Sequence, residues 1–349
     1  MKTVIVALII IIIGFSGCSS STTSRKPVTN IQITPSNNVV VYGNEFSIVV
    51  QSKIVRPKIT ELTLYLNNKL IKQSTDPDFS VSINSKEYTT GKYSIKTVAK
   101  NEDGKIGVNY SSISIISDIT PKKLGYKLHG QLPHNTSYYT EGLEFYKGKL
   151  YEGTGNYGES YVTFYKPNSI KNIKSHKNDK QYFGEGITIL DEKLYQLTYK
   201  SKKGFIYEPE TLEKIAEFNF DSKEGWGLTN DGIHLIMSNG SSIISFINPK
   251  NFKVEKTIEV STPTGFVSNI NELEYLDGVI YANIWTTQTI AKIEASTGRV
   301  LAFINMEGIL TNLKNKRIDV MNGIAYEPEQ QLFYITGKWW PYLYQVTFE

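Results

Sequence analysis

The chain has 349 residues, of which 40% are hydrophobic and 21% charged, with a formal net charge of +4. That length leaves room for about two or three domains. Lys and Arg are interspersed with Asp and Glu, so there is no basic stripe and no nucleic-acid partner is expected. A single cysteine excludes an intrachain disulfide, and four scattered histidines (His129, His134, His176, His234) offer no metal-ligand spacing. Tyrosine is abundant, at 23 residues, which leans toward β-structure.

In chain order, Lys2 precedes the apolar run "VIVALIIIIIGF", and small residues lead to Cys18. A positive start, an apolar stretch and small residues at a cut site are the pattern of an export signal. The run is too short for a comfortable transmembrane helix. "FSGC" resembles a bacterial lipobox, so residues 1–18 are expected to be a lipoprotein signal peptide. Cys18 would carry the lipid and become the new N-terminus. A plain signal peptide with an incidental cysteine is the blander alternative. Residues 19–27 then read as a polar tether, since they contain nothing to build a core. The expected location is the bacterial cell envelope, with the lipid anchor in the membrane. Ser19 points to the outer membrane, facing the periplasm, if the host has one. Stable anchoring needs more than one acyl chain.

Residues 28–118 read as short strands. "ELTLYLNN" sets Leu62, Leu64 and Leu66 on one face; "FSVSI" does the same with Phe79, Val81 and Ile83; "KYSIKTVAK" alternates Tyr93, Ile95, Thr97 and Ala99 against polar residues. A period of two marks half-buried strands, and "NNK", "TTGK" and "NEDGK" supply turns. Some ninety residues with this spacing fit an immunoglobulin-like β-sandwich. The segment carries no evident chemistry and is expected to be a spacer or docking module.

Residues 120–349 hold an internal repeat. "EGLEFYKGKLYEGTG", "EGITILDEKLYQLTY", "WGLTNDGIHLIMSNG", "NELEYLDGVIYANIW" and "NGIAYEPEQQLFYITG" begin at 141, 185, 226, 271 and 322, spaced 44, 41, 45 and 51 residues apart. Each is a strand, a turn and a second strand, and most continue with a further strand pair. Four strands per forty-odd residues is the pattern of a propeller blade. The expected fold class is therefore all-β, a five-bladed β-propeller preceded by the sandwich. The fifth unit is one strand short, and "KLGYKLHGQLP" ahead of the first unit is positioned to complete it. In a propeller the first strand of each blade lines the axis. The repeat starts Glu141, Glu185, Trp226, Asn271 and Asn322 are thus expected to converge at one mouth, where Tyr199, Trp285 and Lys338 join them. Polar and aromatic groups gathered there look like a binding site. The glycines flanking Glu185 in "FGEG" suggest a carboxylate without side chains to hide behind.

Those residues also resemble a known family, the papaya-type glutaminyl-peptide cyclotransferases of plants and bacteria. The motifs are "LPHN…YYTEGL", "YFGEGITIL", "LYQLTYKSKKGFIYEPETL", "EGWGLTNDG", "NELEYLDGVIYANIW", "VMNGIAYEP" and "ITGKWWP". The resemblance implies a five-bladed propeller that converts N-terminal glutamine of peptides or exported proteins to pyroglutamate and releases ammonia. It implies that Glu185 is the acid–base group, that Trp226 and Trp285 wall the pocket, and that Asn271 and Lys338 hold the γ-amide. Phe183 is expected to pack beside the glutamate, and Tyr139, Asn322 and Tyr199 to contribute to substrate binding. Two positions depart from the family pattern. Glu141 stands where the family has a neutral glutamine, and Tyr199 where it often has tryptophan. A second carboxylate beside Glu185 would raise its proton affinity, or Glu141 could pair with the substrate ammonium.

The chemistry suits these residue types. The substrate's α-amine attacks its own γ-carboxamide, so the enzyme supplies no nucleophile. One carboxylate can take the amine proton and return it to the departing nitrogen. No cofactor or metal is required, although a structural cation in the propeller channel is compatible with the axial Glu and Asn residues. Two other readings remain at this point: a non-catalytic peptide- or glycan-binding propeller at the cell envelope, and a metal-dependent lactonase-like propeller. Lys338 and the indoles at the same mouth weigh against the second.

Overall fold

The computed structural model describes residues 25–53, 57–310 and 317–349. The expected signal peptide with Cys18, and most of the tether, lie outside the described residues. Among the described residues the protein is all-β; its helical content is the 3₁₀ turn Ser85–Glu87, and no helix is long and apolar enough to cross a membrane.

The N-terminal part forms two sheets. Thr29–Thr34, Glu45–Ser52 and Phe79–Asn84 make a three-stranded sheet. Ile106–Ile116, Gly91–Asn101, Ile59–Leu66 and Lys69–Ser74 make the second, with Val39–Val41 added parallel to Ser114–Ile116. The alternation legible in the sequence decides which faces meet. Leu62, Leu64, Leu66, Ile95 and Ala99 from one sheet share a core with Phe46, Ile48, Phe79 and Ile83 from the other. Burying each large aliphatic side chain contributes about 1.5–3 kcal/mol, before the entropy of ordering the chain is charged against it.

Apart from a two-stranded ribbon at Ser261–Thr262 and Gly265–Phe266, the described residues of the rest of the chain fold into five sheets whose strands are mostly antiparallel neighbours in sequence order. The first is Thr140–Tyr146, Lys149–Thr154, Tyr161–Lys166 and Ser169–Lys177. The next three begin with Gly184–Leu190, Leu228–Asn230 and Ile270–Leu276, and the fifth with Met321–Glu327. The fifth sheet takes its outermost strand from Tyr126–Pro133, which pairs antiparallel with Tyr342–Phe348. This is the strand that the short fifth repeat lacks. A feature with no signal in the repeat is Lys122–Leu124, which adds in parallel to the edge of the fourth sheet.

The five first strands pack side by side in succession, and Met321–Glu327 packs in turn on Thr140–Tyr146. Side chains staple the gaps between them. Glu272 accepts the backbone N–H groups of Leu143 (3.2 Å) and Ile324 (2.8 Å), and Glu274 accepts that of Tyr326 (2.9 Å). Glu144 accepts the N–H of Ile189 (3.1 Å), and the Thr229 hydroxyl that of Tyr275 (3.1 Å). Strands that meet edge-on rather than through a backbone ladder leave such groups unpaired, and buried N–H groups must find partners.

The two-sheet part is docked on the third and fourth sheets. The Thr90 hydroxyl lies 2.7 Å from the Glu259 carbonyl and 2.8 Å from that of Thr297. Ser117 N–H donates to Ser261 Oγ (3.1 Å), and Arg299 pairs with Asp118 (2.9 Å) and stacks on the Tyr42 ring.

Candidate active site

The starts of the first strands surround a cavity of about 230 Å³. Nine of the residues singled out in the sequence line it: Tyr139, Glu141, Phe183, Glu185, Tyr199, Trp226, Asn271, Trp285 and Lys338. Asn322 does not line it. It sits behind the wall, fully buried, and donates from Nδ2 to the Thr140 carbonyl (3.0 Å) and to Glu141 Oε2 (3.2 Å). Asn322 therefore bears on the cavity through Glu141.

The glycines around Glu185 have a different cause from the one their sequence suggests. A Cβ on Gly186 would come within 2.4 Å of Leu228 N and 2.6 Å of the Trp226 carbonyl oxygen. Gly142 and Gly227 stand in the same relation to Ile187 and Asn271, at 2.5 and 2.1 Å. The residue after each start must be glycine where the next first strand passes this closely. Glu185 is accordingly not left open: it is 5% exposed.

Burial sets the electrostatics. Glu185 and Glu141 are both sealed from water, and their carboxyls share a hydrogen bond. Lys338 Nζ lies 2.8 Å from Glu141 Oε1. Burial, followed by the neighbouring Glu141 charge, holds the Glu185 carboxyl well above the usual carboxylate range, against the opposing pull of Lys338. Burial also lifts Glu141, to about 7, with Lys338 again pulling down. Burial alone would lower Lys338, but the two carboxylates outweigh it and hold its ammonium charged. Once Glu141 has ionised, the three groups form an ammonium, a carboxylate and a carboxylic acid in hydrogen-bonded sequence. Such an arrangement can hold one proton and move it.

Asn271 lines the cavity and is 3% exposed; its Oδ1 is itself buried and makes no hydrogen bond. A buried amide oxygen in that state costs free energy until a donor arrives, and a primary amide N–H is a fitting one.

Comparison with known proteins follows this geometry. A family profile described as glutamine cyclotransferase matches residues 106–348, beginning inside the last strand of the N-terminal sheets. The glutaminyl-peptide cyclotransferase of Arabidopsis thaliana is 37% identical over 221 residues, which span 62% of this chain and 69% of the relative. The crystal structure of Myxococcus xanthus glutaminyl cyclase superposes with a TM-score of 0.60 at 31% identity, covering 66% of this chain and 99% of that one. The chain belongs to the glutamine cyclotransferase family.

The cyclotransferase walls its cavity with rings. Trp226 and Trp285 meet edge to face at 5.6 Å, and Phe183 contacts Tyr199 at 5.6 Å and Tyr139 at 6.2 Å. Tyr139 is pushed up to about 12 by burial, so its phenol stays protonated. Its hydroxyl donates to Asp319 Oδ2 (3.2 Å), and its ring packs on Trp339. Glu224 fixes the Trp226 indole by accepting from Nε1 (3.0 Å), and its charge also acts on Glu185.

Sequence reading passed over Asp319, Glu224 and Trp339. Glu224 lies two residues before Trp226 in "KEGWGL", which was its one available signal. Glu152 was also passed over. Its carboxyl accepts from Thr140 Oγ1 (2.7 Å) and from the Tyr165 hydroxyl (2.8 Å), and it lies 3.1 Å from His134 Nε2. That buried cluster fixes the residue before Glu141 and gives His134 a core role.

Proposed function

We propose that residues 120–349 form a five-bladed β-propeller, preceded by an immunoglobulin-like sandwich at 28–118, and that Glu185 is the proton shuttle of its reaction. The protein is a glutaminyl-peptide cyclotransferase. It converts the N-terminal glutamine of a peptide to pyroglutamate: the α-nitrogen bonds to the carboxamide carbon, the C–N bond of the carboxamide breaks, and ammonia leaves. The succession of first strands packed around a common centre supports the propeller reading, and the shared core of the two N-terminal sheets supports the sandwich.

One observation carries the assignment of Glu185. Its buried carboxyl faces a cavity of single-residue size and is linked through Glu141 to a charged lysine. A carboxyl held at elevated proton affinity is a better base than an exposed one and still a competent acid. In the proposed cycle the free substrate amine closes on the carboxamide carbon, Glu185 in its ionised form takes a proton from the attacking nitrogen, and the same proton is delivered to the departing amide nitrogen, which leaves as ammonia. Lys338 stabilises the negative charge that grows on the carboxamide oxygen. The Asn271 side-chain amide, at the cavity wall, hydrogen-bonds the γ-amide and turns it into place. Trp226, Trp285, Phe183 and Tyr199 exclude water and keep the chain curled, which accounts for much of the acceleration in an intramolecular closure. These steps draw on side chains alone and need no cofactor.

The substrates are peptides or exported proteins with glutamine at a new N-terminus. The enzyme is proposed to act at the cell envelope, held to the membrane by lipid on Cys18. Ammonia release from a Gln-initiated dipeptide, measured with and without chelator, tests the reaction. Chelator-insensitive turnover that disappears in Glu185→Gln is expected. Turnover lost with chelator would overturn the cofactor-free cycle, and peptide binding without ammonia would return the chain to a binding module.

A further inference from the structure

We propose that the buried His134–Glu152 pair is a positioning device for the reaction: it clamps together the two backbone segments that carry Glu141 and Lys338, and so sets the ion pair beside Glu185. The proposal rests on the cyclotransferase reading of the cavity. His134, Glu152, Thr140 and Trp340 are not among the residues lining the cavity, so the clamp acts through Glu141 and Lys338 and touches no substrate.

The pair joins one segment to the other. On the lysine side, His134 N–H donates to the Pro341 carbonyl (2.8 Å), and the ring Nδ1 lies 2.7 Å from the Trp340 carbonyl oxygen. Trp340 folds back over the residue before Lys338. Its N–H donates to the Gly337 carbonyl (3.1 Å), and a Cβ on Gly337 would come within 2.4 Å of its indole. On the glutamate side, His134 Nε2 lies 3.1 Å from both oxygens of Glu152, and Glu152 Oε1 accepts from Thr140 Oγ1 (2.7 Å). Thr140 immediately precedes Glu141. Its carbonyl is held by Asn322 Nδ2 (3.0 Å), which also reaches Glu141 Oε2 (3.2 Å). One imidazole and one carboxyl thus span from the residue two after Lys338 to the residue before Glu141.

The chemistry of the pair makes the bridge stiff. A carbonyl oxygen only accepts, and Glu152 already accepts from the hydroxyls of Thr140 and Tyr165 (2.8 Å), so both ring nitrogens of His134 serve as donors. Burial alone would lower His134, but Glu152 and the Trp340 carbonyl outweigh it and hold the ring above its ordinary value. Tyr138 and Tyr165 face Glu152, and burial raises both phenols, so they stay neutral. Both partners are fully buried at the side chain, and parting them would leave a desolvated charge.

Stiffness matters because the ion pair in front is short. Lys338 Nζ lies 2.8 Å from Glu141 Oε1, and opening that contact by about 1 Å would weaken the attraction by about a quarter. Glu185, Asp319 and Tyr139 also face the pair, and Glu224 acts on Glu185. Lys338 pulls down the proton affinity of both Glu141 and Glu185. Drawing it away raises the affinity of the two coupled carboxyls as a unit, and the acidic limb of the pH profile should move to higher pH.

Thr140→Val cuts the link between Glu152 and the Glu141 strand while keeping the shape of the side chain, and Thr140→Ser keeps the hydroxyl. Tyr165→Phe takes the other hydroxyl from Glu152 and leaves both segments linked. The acidic limb of kcat/KM on a Gln-initiated dipeptide is measured for each beside the wild type, together with a melt; the substrate amine titrates alike throughout. Thr140→Val should move the limb upward by about 0.5–1 pH unit. Thr140→Ser should restore it, and Tyr165→Phe should lower Tm with the limb in place. If Thr140→Val does not fold, His134→Gln, whose donors sit on a single nitrogen, breaks the same bridge and should move the limb the same way. An unmoved limb in the folded variant, or an equal movement in Tyr165→Phe, overturns the proposal. No turnover by the wild type would instead sink the cyclotransferase reading beneath it.

Discussion

Replacing Lys338 with methionine should destabilise the protein in a pH-dependent way whose size is set by Glu141. The pair is buried, 7% and 2% exposed at the side chains, with 2.8 Å between charged atoms. Coulomb's law at an effective dielectric of about 20 gives roughly 6 kcal/mol for unit charges that close. Glu141 has an escape, because it can take up a proton. In the native protein it titrates near 7, against 4.5 for the ordinary carboxyl. Below about pH 4.5 it is neutral whether folded or unfolded and subtracts nothing. As pH rises toward 7 the unfolded chain releases this proton while the folded one keeps it, so stability falls; above 7 the loss levels off. Without Lys338 the folded carboxyl stays neutral to higher pH and the loss continues. At pH 8.5 the added cost is bounded by the 1.5-unit gap from 7, about 2 kcal/mol, while at pH 5.5 it is near zero. Proton uptake therefore wins over an unpaired buried charge. For a unit of this size about 2 kcal/mol is roughly 4–8 °C in Tm. Calorimetric melts at pH 5.5 and 8.5 of wild type, Lys338→Met, Glu141→Gln and the double variant measure this. The deficit of Lys338→Met should appear at pH 8.5 and largely vanish in the double variant. An equal deficit at both pH values, unrelieved by Glu141→Gln, would refute the reasoning.

Glu185→Gln should lower kcat by about 10²–10⁴ without lowering Tm, because it removes a proton carrier and a buried acid together; ammonia release and a melt are the checks. Glu141→Gln removes one of the charges that raise Glu185, so the acidic limb of kcat/KM should move to lower pH; an unmoved limb would mean the two carboxyls do not sense each other. Gly186→Ala puts a Cβ 2.4 Å from Leu228 N and should cost about 1–3 kcal/mol or more, seen as a lower Tm with the far-UV spectrum retained.

Much of the architecture was legible because it rests on short-range rules. Period-two alternation identified Leu62, Leu64 and Leu66 as core, and the five repeat starts lie around one cavity or, for Asn322, directly behind its wall. The strand completing the fifth sheet was legible from a deficit in the repeat. What escaped was whatever depends on distances between sheets. Gly186 looks in sequence like a device that exposes Glu185, whereas a passing backbone requires it. Lys122–Leu124 pairs with a strand nearly 180 residues away, and nothing local to "KKL" signals that edge. Asp319 and Glu152 are single carboxylates in ordinary surroundings, and they matter only because Tyr139 and Thr140 reach them across the fold.

A perturbed carboxyl does not by itself locate the chemistry in this protein. Burial also holds Glu272 and Glu274 well above the usual range, and both sit on a first strand, as Glu141 and Glu185 do. Their surroundings differ. Glu272 and Glu274 spend their oxygens on the N–H groups of Leu143, Ile324 and Tyr326, which belong to neighbouring first strands. Removing such an acid strands backbone donors and loosens the packing around the centre. Glu185 faces a cavity instead, its carboxyl bonded to a second carboxyl and the nearby cation paired with that partner. A proton on Glu272 satisfies a desolvated oxygen and has nowhere to go, whereas a proton on Glu185 has an acceptor beside it and room for a substrate in front. On two different first strands the fold uses the buried carboxyl once as a fastener and once as a reagent, and access to the cavity separates the two.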